Sequence, residues 1–114
     1  MGRLKIIKQE KDFRQFRSGK SFQGPVLRIR IKSANQNTPR FGFIIPKKTV
    51  PKVTQRNKIK RRLKSILTNN LDFIKPVDVL LFPGAIAGKK KFRELEKQTV
   101  DLFKKAGIWT SSVN

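Results

Sequence analysis

With 114 residues, of which 28 are Lys or Arg and 7 Asp or Glu, the chain carries a formal charge of +21, a balance that suits nucleic acid and far exceeds what a small acidic substrate requires. Its length bounds it to one domain with a single modest core. The absence of Cys excludes a disulfide scaffold and a cysteine metal site, and the further absence of His and Tyr removes the usual groups for acid–base chemistry near neutral pH.

The charge is unevenly spread. No acid lies between Asp12 and Asp72, an interval holding sixteen Lys and Arg. With no long apolar run and no signal-peptide pattern, the expectation is a soluble cytoplasmic protein that needs no membrane. Residues Gly2 to Lys8 read as a basic extended segment, part of an N-terminal arm over residues 1–9. Asp12 is placed to cap a short helix holding Phe13 and Phe16 and ending at Gly19. Those two rings share a face and are either core or stacking platforms; Arg14, Arg17 and Lys20 around them keep the second reading open.

From Val26 to Lys32 the sequence VLRIRIK alternates, with Leu27, Ile29 and Ile31 on one side and Arg28, Arg30 and Lys32 on the other. That is a half-buried strand with a basic outer face. Ala34 to Pro39 reads as a turn, so the apolar strand Arg40 to Ile45 is expected to be its hairpin partner, closed by Pro46. Lys47, Lys48 and Lys52 then lead into a helix.

That helix, Thr54 to Asn70, organises the chain. Six of the ten residues from Gln55 to Lys64 are basic and none is acidic. Ile59, Leu63, Ile66 and Leu67 form an apolar stripe, while Asn57, Lys60, Arg61, Lys64 and Thr68 share the opposite side. Thr54 is the expected N-cap, with Asn57 completing a loose capping box. Cations in the first turn oppose the helix dipole at roughly 0.3–1 kcal/mol each, and three like-charge i,i+4 pairs add perhaps ~0.2–0.5 kcal/mol each. A merely solvated face mixes its signs; this one is built to lie on a polyanion.

Val77 to Phe82 reads as a further buried strand closed by Pro83–Gly84. Lys89 to Ala106 follows as a second amphipathic helix, with Phe92, Leu95, Leu102, Phe103 and Ala106 inward and Gly107 past its end. The tail from 108 to 114 offers only Trp109 for docking on the body. The expectation is an α+β layer arrangement of three or four strands and three helices, forming a single RNA-binding domain over residues 1–114. The carboxylates are few and scattered, and neither Glu10 with Asp12 nor Glu94 with Asp101 makes a persuasive metal or acid–base pair.

The segment RNKIKRRLK, Arg56 to Lys64, resembles the signature of the bacterial ribonuclease P protein component, roughly RNxxKRxxR. RLK at Arg3 to Lys5, KDF at Lys11 to Phe13, GKSF at Gly19 to Phe22, RFGFIIPKK at Arg40 to Lys48, and Asp78 with PGA at Pro83 to Ala85 are similar to that family's other blocks in order and spacing. The resemblance implies a small α–β sandwich, with an about four-stranded mixed sheet, three helices and a β-α-β crossover of left-handed sense, against the usual right-handed rule. It implies a subunit of the ribonucleoprotein endonuclease that removes 5′ leaders from precursor tRNA, with catalysis in the RNA and Mg2+ held mainly by that RNA. No catalytic or metal-binding residue is expected in the chain, and no protein partner is required. The resemblance puts Arg56, Asn57, Lys60, Arg61 and Lys64 on the catalytic RNA, and Lys58 and Arg62, cations of the same helix, are expected to join them. It puts Phe13, Phe16, Lys47 and Lys48 at a cleft for the precursor's leader, and Arg17 beside the two rings and Arg28 and Arg30 on the strand's basic face are expected to contribute to it. The chain departs from the pattern at Lys64, where an Arg is usual, and in the Phe13–Phe16 spacing, which is one residue short. It departs also at Arg28, near which many members carry an aromatic, and at Pro46, which replaces a small polar residue. The alternative is a basic ribosomal or RNA-packaging protein; a DNA-binding helix module is weaker, as no second helix precedes Thr54 at a turn's distance.

Overall fold

The computed structural model describes residues 4–7, 16, 19–33 and 36–110. Strands β1 (Lys5–Ile6), β2 (Lys20–Gln23), β3 (Leu27–Ser33) and β4 (Arg40–Phe43) precede helix α1 (Val53–Asn69). Strand β5 (Val77–Pro83) and helix α2 (Phe92–Lys105) follow. Short 3₁₀ turns at Leu71–Phe73 and Ala85–Lys89 flank β5.

The sheet order is β1-β4-β5-β3-β2. β5 runs parallel to β4 and antiparallel to β3, and β1 is parallel to β4. The α+β class is as expected, but among the described residues the strands number five. Among the described residues there are two α-helices; the expected first helix falls on positions that, apart from Phe16, lie outside them. The expected hairpin between the strands at 26–32 and 40–45 does not form, because β5 lies between them. VDVLLFP is apolar on both sides, with Val79, Leu80 and Leu81 all buried, and only a central strand covers both faces. β3 instead makes its hairpin with β2, through Gly24 and Pro25. β1 and β2 escape sequence reading because two- and four-residue segments carrying lysine give no usable alternation.

One face of the sheet packs on the helices. Leu27, Ile29, Phe41, Val79 and Leu81 meet Ile59, Leu63, Ile66 and Leu67 of α1 and Leu95, Leu102 and Phe103 of α2, each such side chain contributing about 1.5–3 kcal/mol by its burial. The α1 stripe is buried as expected. The helix start is not: Lys52 occupies the cap position, Thr54 is already inside the first turn, and no side chain caps the end. The N-terminus is secured from within instead, since Arg56 Nη1 donates to the Val50 and Pro51 carbonyls, 2.9 Å each.

α2 begins at Phe92 rather than Lys89, which belongs to the preceding 3₁₀ turn. It ends as expected at Gly107, whose φ of 76° lets the Gly107 and Ile108 N–H groups reach back to Lys104 and Phe103. Trp109 docks by stacking on Phe73, ring centres 5.3 Å apart. No helix among the described residues is long and apolar enough to cross a membrane.

Candidate nucleic-acid interface

The outer side of α1 is the first cationic surface. Asn57, Arg61 and Lys64 are exposed, and Lys58 and Lys60 are half-buried along its flanks. The ion pairs Arg40–Asp78 and Lys97–Asp101 both lie away from this helix, and α1 carries no acid of its own. Two signature arginines differ from the rest. Arg56 holds the 50–51 loop, and Arg62 Nη1 donates to the Lys90 carbonyl at 2.9 Å. Each spends part of its five-donor fork on backbone, a use that the sequence spacing did not foretell.

The sheet face turned away from the helices is the second surface. Strand register places Arg28 beside Phe82, Arg30 beside Leu80 and Lys32 beside Asp78. The Arg28 guanidinium carbon lies 4.0 Å from the Phe82 ring centre, and Arg30 Nε donates to Ser21 Oγ at 3.0 Å. Both arginines are thereby held by neighbours with no negative charge. Sequence spacing does not single out Phe82 and Ser21, because only cross-strand register puts them with the arginines. At this end of the face a groove of about 280 Å³ runs from Arg28 and Phe82 to Ile44, Pro46 and Thr49. The exposed Lys47 and Lys48 sit in the turn at its rim, where the Thr49 and Val50 N–H groups both reach the Pro46 carbonyl.

Phe16 is 2% exposed and packs with Ile7 and Leu80 in a small cluster on this same side of the sheet. As placed, its ring lies over Leu80 on that side and is itself covered, so it presents no free surface for a base. Phe13 and Arg17 lie outside the described residues.

Four of the five described acids are occupied structurally, and the fifth, Asp72, is exposed. Asp78 takes both donors of Arg40, Glu94 accepts from Gln98, Asp101 from Lys97, and Glu96 from Asn70. Among the described residues no three His, Cys, Asp or Glu cluster as a metal site. What the arrangement can do chemically is bind phosphates on two separate surfaces.

A sequence profile of the family described as Ribonuclease P matches residues 1–107. The chain is 32% identical over 106 residues to the "Ribonuclease P protein component" of Clostridium botulinum (strain 657 / Type Ba4), covering 90% of this chain and 95% of that one. It is 33% identical over 110 residues to the protein of the same description from Syntrophomonas wolfei, covering 95% and 92%. In fold it matches the Staphylococcus aureus RNase P protein with a TM-score of 0.85 at 19% identity, over 95% and 100% of the two chains. The Thermotoga maritima RNase P protein gives 0.81 at 23% identity, over 89% and 96%.

Proposed function

The chain belongs to the ribonuclease P protein family, and from that premise we propose that it binds the catalytic RNA through α1 and the leader of precursor tRNA through the open sheet face. The observation that carries the division is the pair of separate cationic surfaces. α1 packs its apolar stripe on one side of the sheet and points Arg61 and Lys64 outward. Arg28 and Arg30 lie on the sheet's other side.

The α1 surface is curved, lysine-rich and without aromatics, which suits a phosphate backbone more than unpaired bases. The sheet face combines an arginine held over an aromatic ring with a groove and a lysine-bearing turn at its rim. A single-stranded leader, whose bases stack on planar groups and whose phosphates seek cations, fits such a surface with little sequence preference. Endonucleolytic removal of the leader resides in the RNA, which also holds most of the Mg2+; the protein's contribution is to position the substrate. The complex works in the cytoplasm.

The test is reconstitution of the chain with a bacterial ribonuclease P RNA and a precursor tRNA at low magnesium. Stimulated cleavage at the mature 5′ end is expected. Binding of both RNAs with no gain in cleavage would leave the chain an RNA-packaging protein.

A further inference from the structure

Lys89, Lys90 and Lys91 lie outside the signature helix and outside the motif blocks at 3–5, 11–13, 19–22, 40–48 and 83–85. We infer that this lysine run is a second strip of the catalytic-RNA interface, continuous with α1; the inference rests on the function proposed above.

Three observations place the run beside α1. Gly88 lies against the helix so closely that a Cβ there would meet Gln55 Oε1 at 3.0 Å and Ile59 Cδ1 at 3.5 Å. Arg62 Nη1 then clamps the Lys90 carbonyl at 2.9 Å. On a helix of 3.6 residues per turn, Lys58 lies one turn from Arg62 on the same flank, so that flank's cations and the 89–91 run border one another. Lys89 and Lys91 are exposed.

The charge has no internal purpose. No acid occurs between Asp78 and Glu94, and Glu94 accepts a hydrogen bond from Gln98 within its own helix. The run also sits at the α2 start, where Lys91 fills the cap position without a side-chain hydrogen bond and where the helix dipole disfavours cations. Arg62 therefore spends a donor to hold in place a strip of lysines that destabilises its own helix start. A strip so fixed, and continuous with the α1 face, fits the backbone of a structured RNA, which presents phosphates over a broad area.

The experiment compares the wild-type chain with K89A/K91A and K89R/K91R, titrating ribonuclease P RNA alone across a salt series while following thermal unfolding. For K89A/K91A the affinity should fall severalfold and the slope of log K against log salt should flatten by about two, one unit per lost phosphate contact. Its melting temperature should stay level or rise, and K89R/K91R should bind like wild type. Lys75→Ala, at an exposed position beside Ile108, should leave the slope unchanged. Wild-type affinity and slope in K89A/K91A would overturn the inference, as would a loss confined to precursor tRNA binding or a clear drop in melting temperature. Failure of the wild-type chain to bind this RNA would instead sink the proposed function.

Discussion

Arg40 and Asp78 face each other across the parallel β4–β5 pair and join by two hydrogen bonds, Nε to Oδ1 at 2.9 Å and Nη2 to Oδ2 at 2.6 Å. The Asp78 side chain is 4% exposed and that of Arg40 35%. The pair offsets one cation near the β1 edge of the open face, so the charge available to a ligand shifts toward Arg28 and Arg30.

The unequal exposure makes the two truncations unequal. Arg40→Ala takes two donors from a buried carboxylate and should cost about 2–4 kcal/mol. Asp78→Ala leaves a guanidinium that can turn to water and should cost less, about 1–2 kcal/mol. Urea unfolding of both variants checks this; a greater loss in Asp78→Ala would mean that carboxylate burial does not set the cost.

The signature arginines should separate into two groups. Arg61→Ala should weaken binding of the catalytic RNA, flatten a salt slope of magnitude roughly 4–7 by about one unit, and leave thermal unfolding unchanged. Arg62→Ala and Arg56→Ala release backbone carbonyls and should each also lose about 0.5–1.5 kcal/mol of stability. Parallel melts and RNA titrations distinguish the groups, and a destabilised Arg61→Ala would contradict its assignment to the free face.

Phe16 and Arg28 should behave differently although they share one side of the sheet. Phe16→Ala opens a cavity against Ile7 and Leu80 and should cost about 3 kcal/mol, weakening precursor and mature tRNA binding to the holoenzyme alike. Arg28→Ala forfeits a cation–π contact of about 0.5–1 kcal/mol, remains folded, and should weaken precursor tRNA selectively with the larger effect at low salt. Measuring both tRNA affinities beside each melt decides; a selective loss in a stable Phe16→Ala would restore that ring to the cleft.

Crowded cations on α1 and at the α2 start should leave the free protein marginal at low salt. Sulfate at matched ionic strength should raise its melting temperature, because an anion bound only by the native state stabilises it by mass action. Equal melting with and without sulfate would show that the repulsion is already relieved by the fold.

Much of this molecule is written in short-range pattern. The Ile59–Leu63–Ile66–Leu67 stripe, the alternation from Leu27 to Lys32 and the glycine past α2 each concern residues within a few positions of one another, and each is found where the pattern puts it. Their physical basis is the period of the element and the conformational freedom of one residue. The family signature is legible for the same reason, as it lies on one helix.

Sheet order is another matter. β5 enters between β3 and β4 because its two apolar faces both need cover, a demand met only when strands distant in sequence meet. Neither the lysine-bearing β1 and β2 nor the Phe82 ring beneath Arg28 can be read without that register. Charge alone likewise cannot tell Arg61 from Arg62, which are adjacent and chemically identical. One helical step of about 100° turns the first to solvent and the second onto the Lys90 carbonyl, and the carbonyl is there only because the 85–89 turn packs against α1.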